Sequence, residues 1–176
     1  MTDLRIRDAG PADIPALHRL IESAYRGEAS RAGWTTEADL LEGQRTDPAD
    51  LADILSDPDQ AMLAAFAGED LIGCILIADR GAGVGYFGML SVQPTLQAGG
   101  LGRRLIEAAH AALRERFGAR RVRISVLPQR ETLIQWYQRL GYAPTGETLP
   151  FPYGEPRFGL PLRDDLSFIV MERALA

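Results

Sequence analysis

The chain contains no lysine and no asparagine, a single cysteine (Cys74) and two histidines (His18 and His110). Each shortage closes off a chemistry. Without lysine there is no phosphate-binding loop of the G-x-x-x-x-G-K-[ST] type and no Schiff-base enzyme. A lone cysteine forms no internal disulfide framework, which suits a reducing compartment, so the expected location is cytoplasmic. Two histidines and one cysteine, far apart in sequence, do not read as a zinc site, and no metal is expected. No G-x-S-x-G elbow is present to mark a serine hydrolase. No apolar run approaches a bilayer span, and the opening "MTDLRIRD" lacks the apolar core of a signal peptide, so no membrane partner is expected.

What is present is an ordinary globular composition of 176 residues, 46% hydrophobic and 24% charged. That length suits one domain over residues 1–176, large enough to bury roughly 70% of the surface its unfolded chain exposes. The net charge of −5 argues against nucleic acid as a partner. All nineteen basic side chains are arginines.

Hydrophobic spacing predicts the elements. "LRIRDA" (Leu4 to Ala9) alternates as a short strand. A helix follows from Pro11, with Ile14, Leu17, Leu20, Ile21 and Tyr25 on one face. Asp47-Pro48 opens a second, short helix through Leu51, Ile54 and Leu55. "AMLAAFAGEDLIGCILIAD" reads as two strands about a turn at Gly68 to Asp70, and a third strand covers about Val84 to Gln93. A helix then runs from about Gly99 to Phe117, stopped by Gly118. "RRVRISVLP" is a strand, and "ETLIQWYQRLGY" is a helix with Gly141 at its stop. The chain closes on a strand pair that includes "DLSFIVMERAL". The fold class is α/β, with a mixed sheet and helices on both faces. Two irregular segments remain, "GEASRAGWTTEAD" and "LPFPYGEPRFGLPLRD". The second carries four prolines and three aromatics and reads as a binding lid.

Two glycine-rich motifs compete for a nucleotide. "GVGYFG" (Gly83 to Gly88) matches G-x-G-x-x-G, but its glycines precede and enter a strand, whereas a dinucleotide fingerprint follows a strand and opens a helix. "QAGGLG" has the required context: Val92 ends a strand before it, and Leu101, Leu105, Ala109, Ala112 and Leu113 line a helix after it. Bare backbone at Gly99, Gly100 and Gly102 lets an anion reach N–H groups that have no intrahelical partner. Arg103 and Arg104 add charge without lysine. The plainer reading is a turn that lets the helix pack close to the sheet.

Gln97-Ala98-Gly99-Gly100-Leu101-Gly102 resembles the Q/R-x-x-G-x-G/A signature of the GNAT superfamily of acyl-CoA-dependent N-acyltransferases. "MLSVQP" resembles that family's central strand, and "WYQRLGY" its Y-x-x-x-G-F/Y segment at the usual distance. The resemblance covers essentially the whole chain and implies a mostly antiparallel sheet. It implies acetyl-CoA as co-substrate, its diphosphate on the turn from Gln97 through Ala98, Gly99, Gly100, Leu101 and Gly102 to Arg103. The pantetheine arm would lie against the backbone of Leu90, Ser91 and Val92, as an added strand does. A backbone N–H near Leu90 would polarise the thioester carbonyl. Tyr137 stands where the family usually keeps a general acid; it also completes an apolar face with Leu133, Ile134 and Leu140. Arg130 replaces the family's frequent asparagine seven residues before that tyrosine and is counted with the coenzyme contacts. The usual glutamate base on the central strand is missing, which leaves Tyr86, Ser91, Glu37 or a water chain.

The expected activity is acetyl transfer to a primary amine of a small molecule or amino-acid-like acceptor, by direct attack in a ternary complex. A non-catalytic acyl-CoA sensor and an acetyltransferase of protein amines are the alternatives, and a homodimer is compatible with the sequence. If the sheet opens as the family's does, the two irregular segments flank the acceptor. Trp34, Phe151, Tyr153 and Phe158 would then wall a pocket, Glu37 or Glu155 attract an ammonium and Arg157 fix a carboxylate.

Overall fold

The computed structural model describes residues 3–26, 30–31, 36–155 and 159–175. A seven-stranded sheet forms its centre, in the order β1-β3-β4-β5-β6-β9-β7. The strands are β1 (Leu4–Asp8), β3 (Gln60–Ala67), β4 (Asp70–Asp79), β5 (Val84–Val92), β6 (Arg121–Val126), β7 (Ala143–Pro150) and β9 (Ser167–Ala174). Neighbours are antiparallel except β5 and β6, which run parallel. A parallel pair needs a crossover. Here it is the long helix α3 (Leu101–Phe117).

β3 and β4 are buried almost without alternation because helices cover both of their faces. On one face lie α1 (Ile14–Tyr25) and α2 (Pro48–Ser56), burying Leu17, Ile21 and Leu51 against Met62, Cys74 and Leu76. On the other lie α3 and α4 (Glu131–Arg139), burying Leu105, Leu113, Leu133 and Tyr137 against Ile75, Phe87 and Val122. The predicted cap at α2 forms as expected: the Asp47 carboxylate accepts from the Asp50 N–H at 2.7 Å, with Pro48 in the first turn. Gly73 allows α3 to sit close. A Cβ there would lie 2.9 Å from Leu105 Cδ1 and 3.2 Å from the Ser91 carbonyl oxygen.

The first helix departs from expectation at its start, where Pro11–Asp13 form a 3-10 turn before α1. The helix expected from Gly99 begins at Leu101, after a second 3-10 turn over Pro94–Gly99. A two-stranded ribbon joins the two irregular segments: β2 (Leu41–Glu42) pairs with β8 (Leu160–Pro161). The Leu162 N–H donates to the Leu40 carbonyl at 2.9 Å, and Leu41, Leu127, Phe151 and Leu166 form a small core beneath. Alternation over two residues is too short to show in sequence.

Candidate active site

The site begins with a failure of strand pairing. β5 and β6 are paired only from Val84/Arg121 to Tyr86/Arg123. Beyond that point the ladder between β5 and β6 ends, although β5 continues to Val92 and β6 to Val126. On its other side β5 carries a bulge: Cys74 faces Ser91 and Leu76 faces Gly88, so two β5 residues, Met89 and Leu90, stand opposite Ile75. Met89 adopts φ +50°, a conformation that costs a side-chain-bearing residue on the order of 1 kcal/mol. Its surroundings hold it there. The Met89 carbonyl accepts from Ser91 Oγ at 2.9 Å and from Cys74 Sγ at 3.9 Å, and the Tyr25 hydroxyl donates to the Leu90 carbonyl.

Between the separated strands lies a cavity of about 340 Å³. Its wall includes Tyr86 to Leu90 from β5, Ile124 to Val126 from β6, and Arg130, Leu133 and Tyr137 from α4 and the turn before it. Tyr25, Arg26, Glu37 and Arg45 close it on the α1 side, and Phe151, Pro152 and Phe168 on the far side. Four of the residues predicted for the site, Glu37, Leu90, Arg130 and Tyr137, therefore meet in one cavity.

Electrostatics divide this wall in two. Glu37 is 8% exposed, and Arg26 Nη1 lies 2.5 Å from its Oε1 and Arg130 Nη1 3.1 Å from its Oε2. Burial opposes ionisation, but Arg130, Arg26 and Arg45 together hold the carboxyl below its usual range. Glu37 is thus an ionised clamp with both oxygens engaged, which is not the setting of a proton acceptor. Tyr137 lies in the apolar half, tilted on Phe87 with centroids 6.0 Å apart and on Trp136 at 5.2 Å. Burial pushes its phenol far above the ordinary value, reinforced by Tyr25 and opposed by Arg130, so it keeps its proton. Tyr25 is raised to about 12 for the same reason, burial, and donates rather than ionises.

The glycine turn lies at the far end of β5. Gly100 takes φ +80° as the N-cap of α3, a conformation that favours glycine. A Cβ on Gly99 or Gly100 would meet no atom within 4 Å, so bare backbone here faces open space. Gly102 is different: a Cβ would lie 3.4 Å from Trp136, and its bareness serves packing between α3 and α4. Gln97 and Ala98 belong to the 3-10 turn. Leu101 faces the core, and exposed Arg103 pairs with Glu107 at 3.4 Å. Ser91 and Val92 are buried on β5 and do not line the cavity. The open glycines and the first turn of α3 suit a diphosphate, and the β5 edge beyond Tyr86, where the ladder to β6 has ended, suits an extended amide-bearing chain. The residues fit coenzyme A.

Other expectations land elsewhere. Tyr153 is 43% exposed and absent from the cavity wall; its hydroxyl donates to the Arg163 carbonyl at 2.9 Å and accepts from the Leu166 N–H at 2.8 Å. Phe151, expected in the same aromatic wall and met edge-on by the Tyr153 ring, does line the cavity. Trp34, Arg157 and Phe158 lie outside the described residues. Sequence reasoning missed Tyr25, Arg26 and Arg45 as site residues. Tyr25 follows Ile21 by one helical turn and reads as core, while Arg26 and Arg45 stand in no motif. "GVGYFG" is a turn and strand entry, with Gly83 at φ +78° and Gly85 and Gly88 within β5.

Among the described residues no cluster of acidic, histidine or cysteine side chains could hold a metal, and no helix is long and apolar enough to cross a membrane. A comparison with curated protein sequences gives no match. Solved structures do resemble the fold. Ard1 from Thermoplasma volcanium superposes with a TM-score of 0.73 at 18% identity, covering 98% of both chains. The ribosomal-protein-S18-alanine N-acetyltransferase of Escherichia coli gives 0.71 at 14% identity, over 99% of this chain and 95% of its own. The Salmonella typhimurium protein yncA, solved with its cofactor acetyl-CoA, gives 0.69 at 18% identity, over 98% and 94%. The sequence model of the acetyltransferase (GNAT) family matches residues 15–142. With that match spanning both the glycine turn and Tyr137, the chain belongs to the GNAT acetyltransferase family.

Proposed function

We propose that the protein transfers an acetyl group from acetyl-CoA to a primary amine of a small, amino-acid-like acceptor, both substrates being held together in the cavity between β5 and β6. The observation that carries this reading is the continuity of the site. The open turn at Gly99 and Gly100 leads along β5, past the end of its ladder to β6, to a cavity walled by Tyr137 and four charged side chains. Acetyl-CoA supplies an acetyl group activated as a thioester.

The chain's own residues do the rest. Backbone N–H groups of the turn and the first turn of α3 hold the diphosphate, with Arg103 beside them. The bulged backbone at Met89 and Leu90 is fixed through its carbonyls by Ser91, Cys74 and Tyr25. Such prior fixing favours a main-chain donor near Leu90 aimed at developing negative charge. Tyr137 Oη holds a proton for the departing sulfur and takes back the one that the attacking nitrogen sheds, so the phenol is restored and no proton is gained or lost over the transfer. Among the described residues of the wall, Glu37 is the one carboxylate, and both its oxygens are engaged by arginines. Three guanidinium groups disfavour an ammonium there, so an amine enters the neutral, nucleophilic form more readily than in water.

The test is release of free thiol from acetyl-CoA with a panel of primary amines, alongside calorimetry of coenzyme binding. Thiol release that depends on the amine is expected. Coenzyme binding with no thiol release from any amine would favour a sensor module.

A further inference from the structure

The chain carries a net charge of −5, yet cations outnumber anions among the described residues that line the cavity. Among its described lining residues stand three arginines, Arg26, Arg45 and Arg130, against one carboxylate, Glu37. Positive charge in a partly dry cavity is costly unless an anion compensates it. Glu37 compensates Arg26 and Arg130 directly, with one oxygen each at 2.5 and 3.1 Å. Arg45 is placed differently. It is half-buried, its guanidinium carbon lies 5.4 Å from the Tyr25 ring centroid, and it forms no ion pair among the described residues. Arg130 approaches the same ring at 5.7 Å. Tyr25 is itself fixed by its bond to the Leu90 carbonyl, so the two guanidinium groups are tied to the bulge of β5.

A guanidinium stacked on an aromatic ring is pre-oriented and keeps its N–H fork for a planar anion. From this arrangement we infer that the acceptor carries a carboxylate, read by Arg45 beside the Arg26–Glu37–Arg130 cluster, and that polyamines are excluded. The inference rests on the acetyl-transfer reading for its chemistry but not for its binding. A carboxylate on the acceptor pairs with Arg45, and the aromatic wall of Tyr86, Phe87, Phe151 and Phe168 favours an apolar body between amine and acid.

Binding tests it without turnover. N-acetyl-α-amino acids with aliphatic and aromatic side chains, and the matching N-acetyl amino amides, are titrated into the CoA-loaded protein by calorimetry. At least one acid is expected to bind tenfold or more tightly than its amide. Arg45→Gln should bring the pair to parity without changing the affinity for CoA, and Arg45→Lys should restore part of the preference. Equal binding of acids and amides throughout, tighter binding of spermidine, or loss of CoA affinity in Arg45→Gln in place of acid affinity would each overturn the inference. Acids that bind tightly while the parent amino acids release no thiol from acetyl-CoA would confirm the anion site and overturn the catalytic reading.

Discussion

Tyr137 belongs at once to the core and to the cavity, and its chemistry follows from that double membership. It packs against Phe87, Trp136 and Tyr142, so its position is fixed by the rings around it. Removing the hydroxyl alone leaves those contacts intact. Tyr137→Phe should therefore lower kcat on the order of 100-fold, the scale of a lost proton donor, with little change in KM for acetyl-CoA. Steady-state kinetics against both substrates checks it; unchanged kcat would reduce Tyr137 to packing. His110 illustrates a titratable group outside the site. It is buried with a ring nitrogen 2.6 Å from the Tyr142 hydroxyl, and burial, then Arg173 and Arg114, lowers it to about 4. The unfolded chain protonates this histidine near 6.5, so its contribution to stability is complete above that pH and is lost as the pH falls toward 4. Between pH 7 and 5 the wild type should lose roughly 2 kcal/mol more stability than His110→Gln, read by urea unfolding at each pH.

At the scale of the element, the glycine turn separates folding from binding. Gly99 has no positive φ, and a side chain there would meet open space, so Gly99→Val costs the fold little. The same side chain occupies the approach to the turn's N–H groups. We expect thermal stability near wild type and acetyl-CoA affinity weaker by about tenfold, about 1.4 kcal/mol. Gly100→Ala should behave in the opposite sense, losing about 1 kcal/mol of stability because φ +80° strains an L-residue. Denaturation and coenzyme titration on the two variants separate the effects. β5 shows the same economy: its pairing with β4 shifts register at the bulge and its pairing with β6 ends at Tyr86, so one strand both anchors the sheet and opens it.

For the molecule as a whole, the site lies where the sheet divides, with β1, β3, β4 and β5 on one side and β6, β9 and β7 on the other. A ligand that bridges the gap stabilises both parts together. Acetyl-CoA at 100 times its Kd should add about 2.7 kcal/mol, raising Tm by roughly 5–10 °C for a chain of this size. NADH at the same concentration should leave Tm unchanged, because the G-x-G-x-x-G run is strand and turn. A thermal scan with each ligand decides this, and an equal response to both would remove the glycine turn's claim on the coenzyme.

Much of this was legible in the chain. Apolar periodicity placed the principal helices and strands, because burying one helix face or a covered strand leaves a repeating mark over many residues. The turn at Gly99 and Gly100 was legible as a turn because glycines crowd between the end of a strand pattern and the start of a helix pattern. The ribbon of β2 and β8 left no such mark, since two residues carry no period. The cationic wall was equally hidden: Arg26, Glu37, Arg45 and Arg130 come from four separate stretches, and charge in sequence does not say which charges meet. Glu37 shows the consequence. By residue type alone it suits an ammonium or a proton; three arginines brought up by folding make it a clamp. The sequence by itself determined the fold and the family, because those rest on local motif and periodic burial. Only the tertiary structure decided the sign and shape of the acceptor end, because electrostatics depends on distances that folding alone sets.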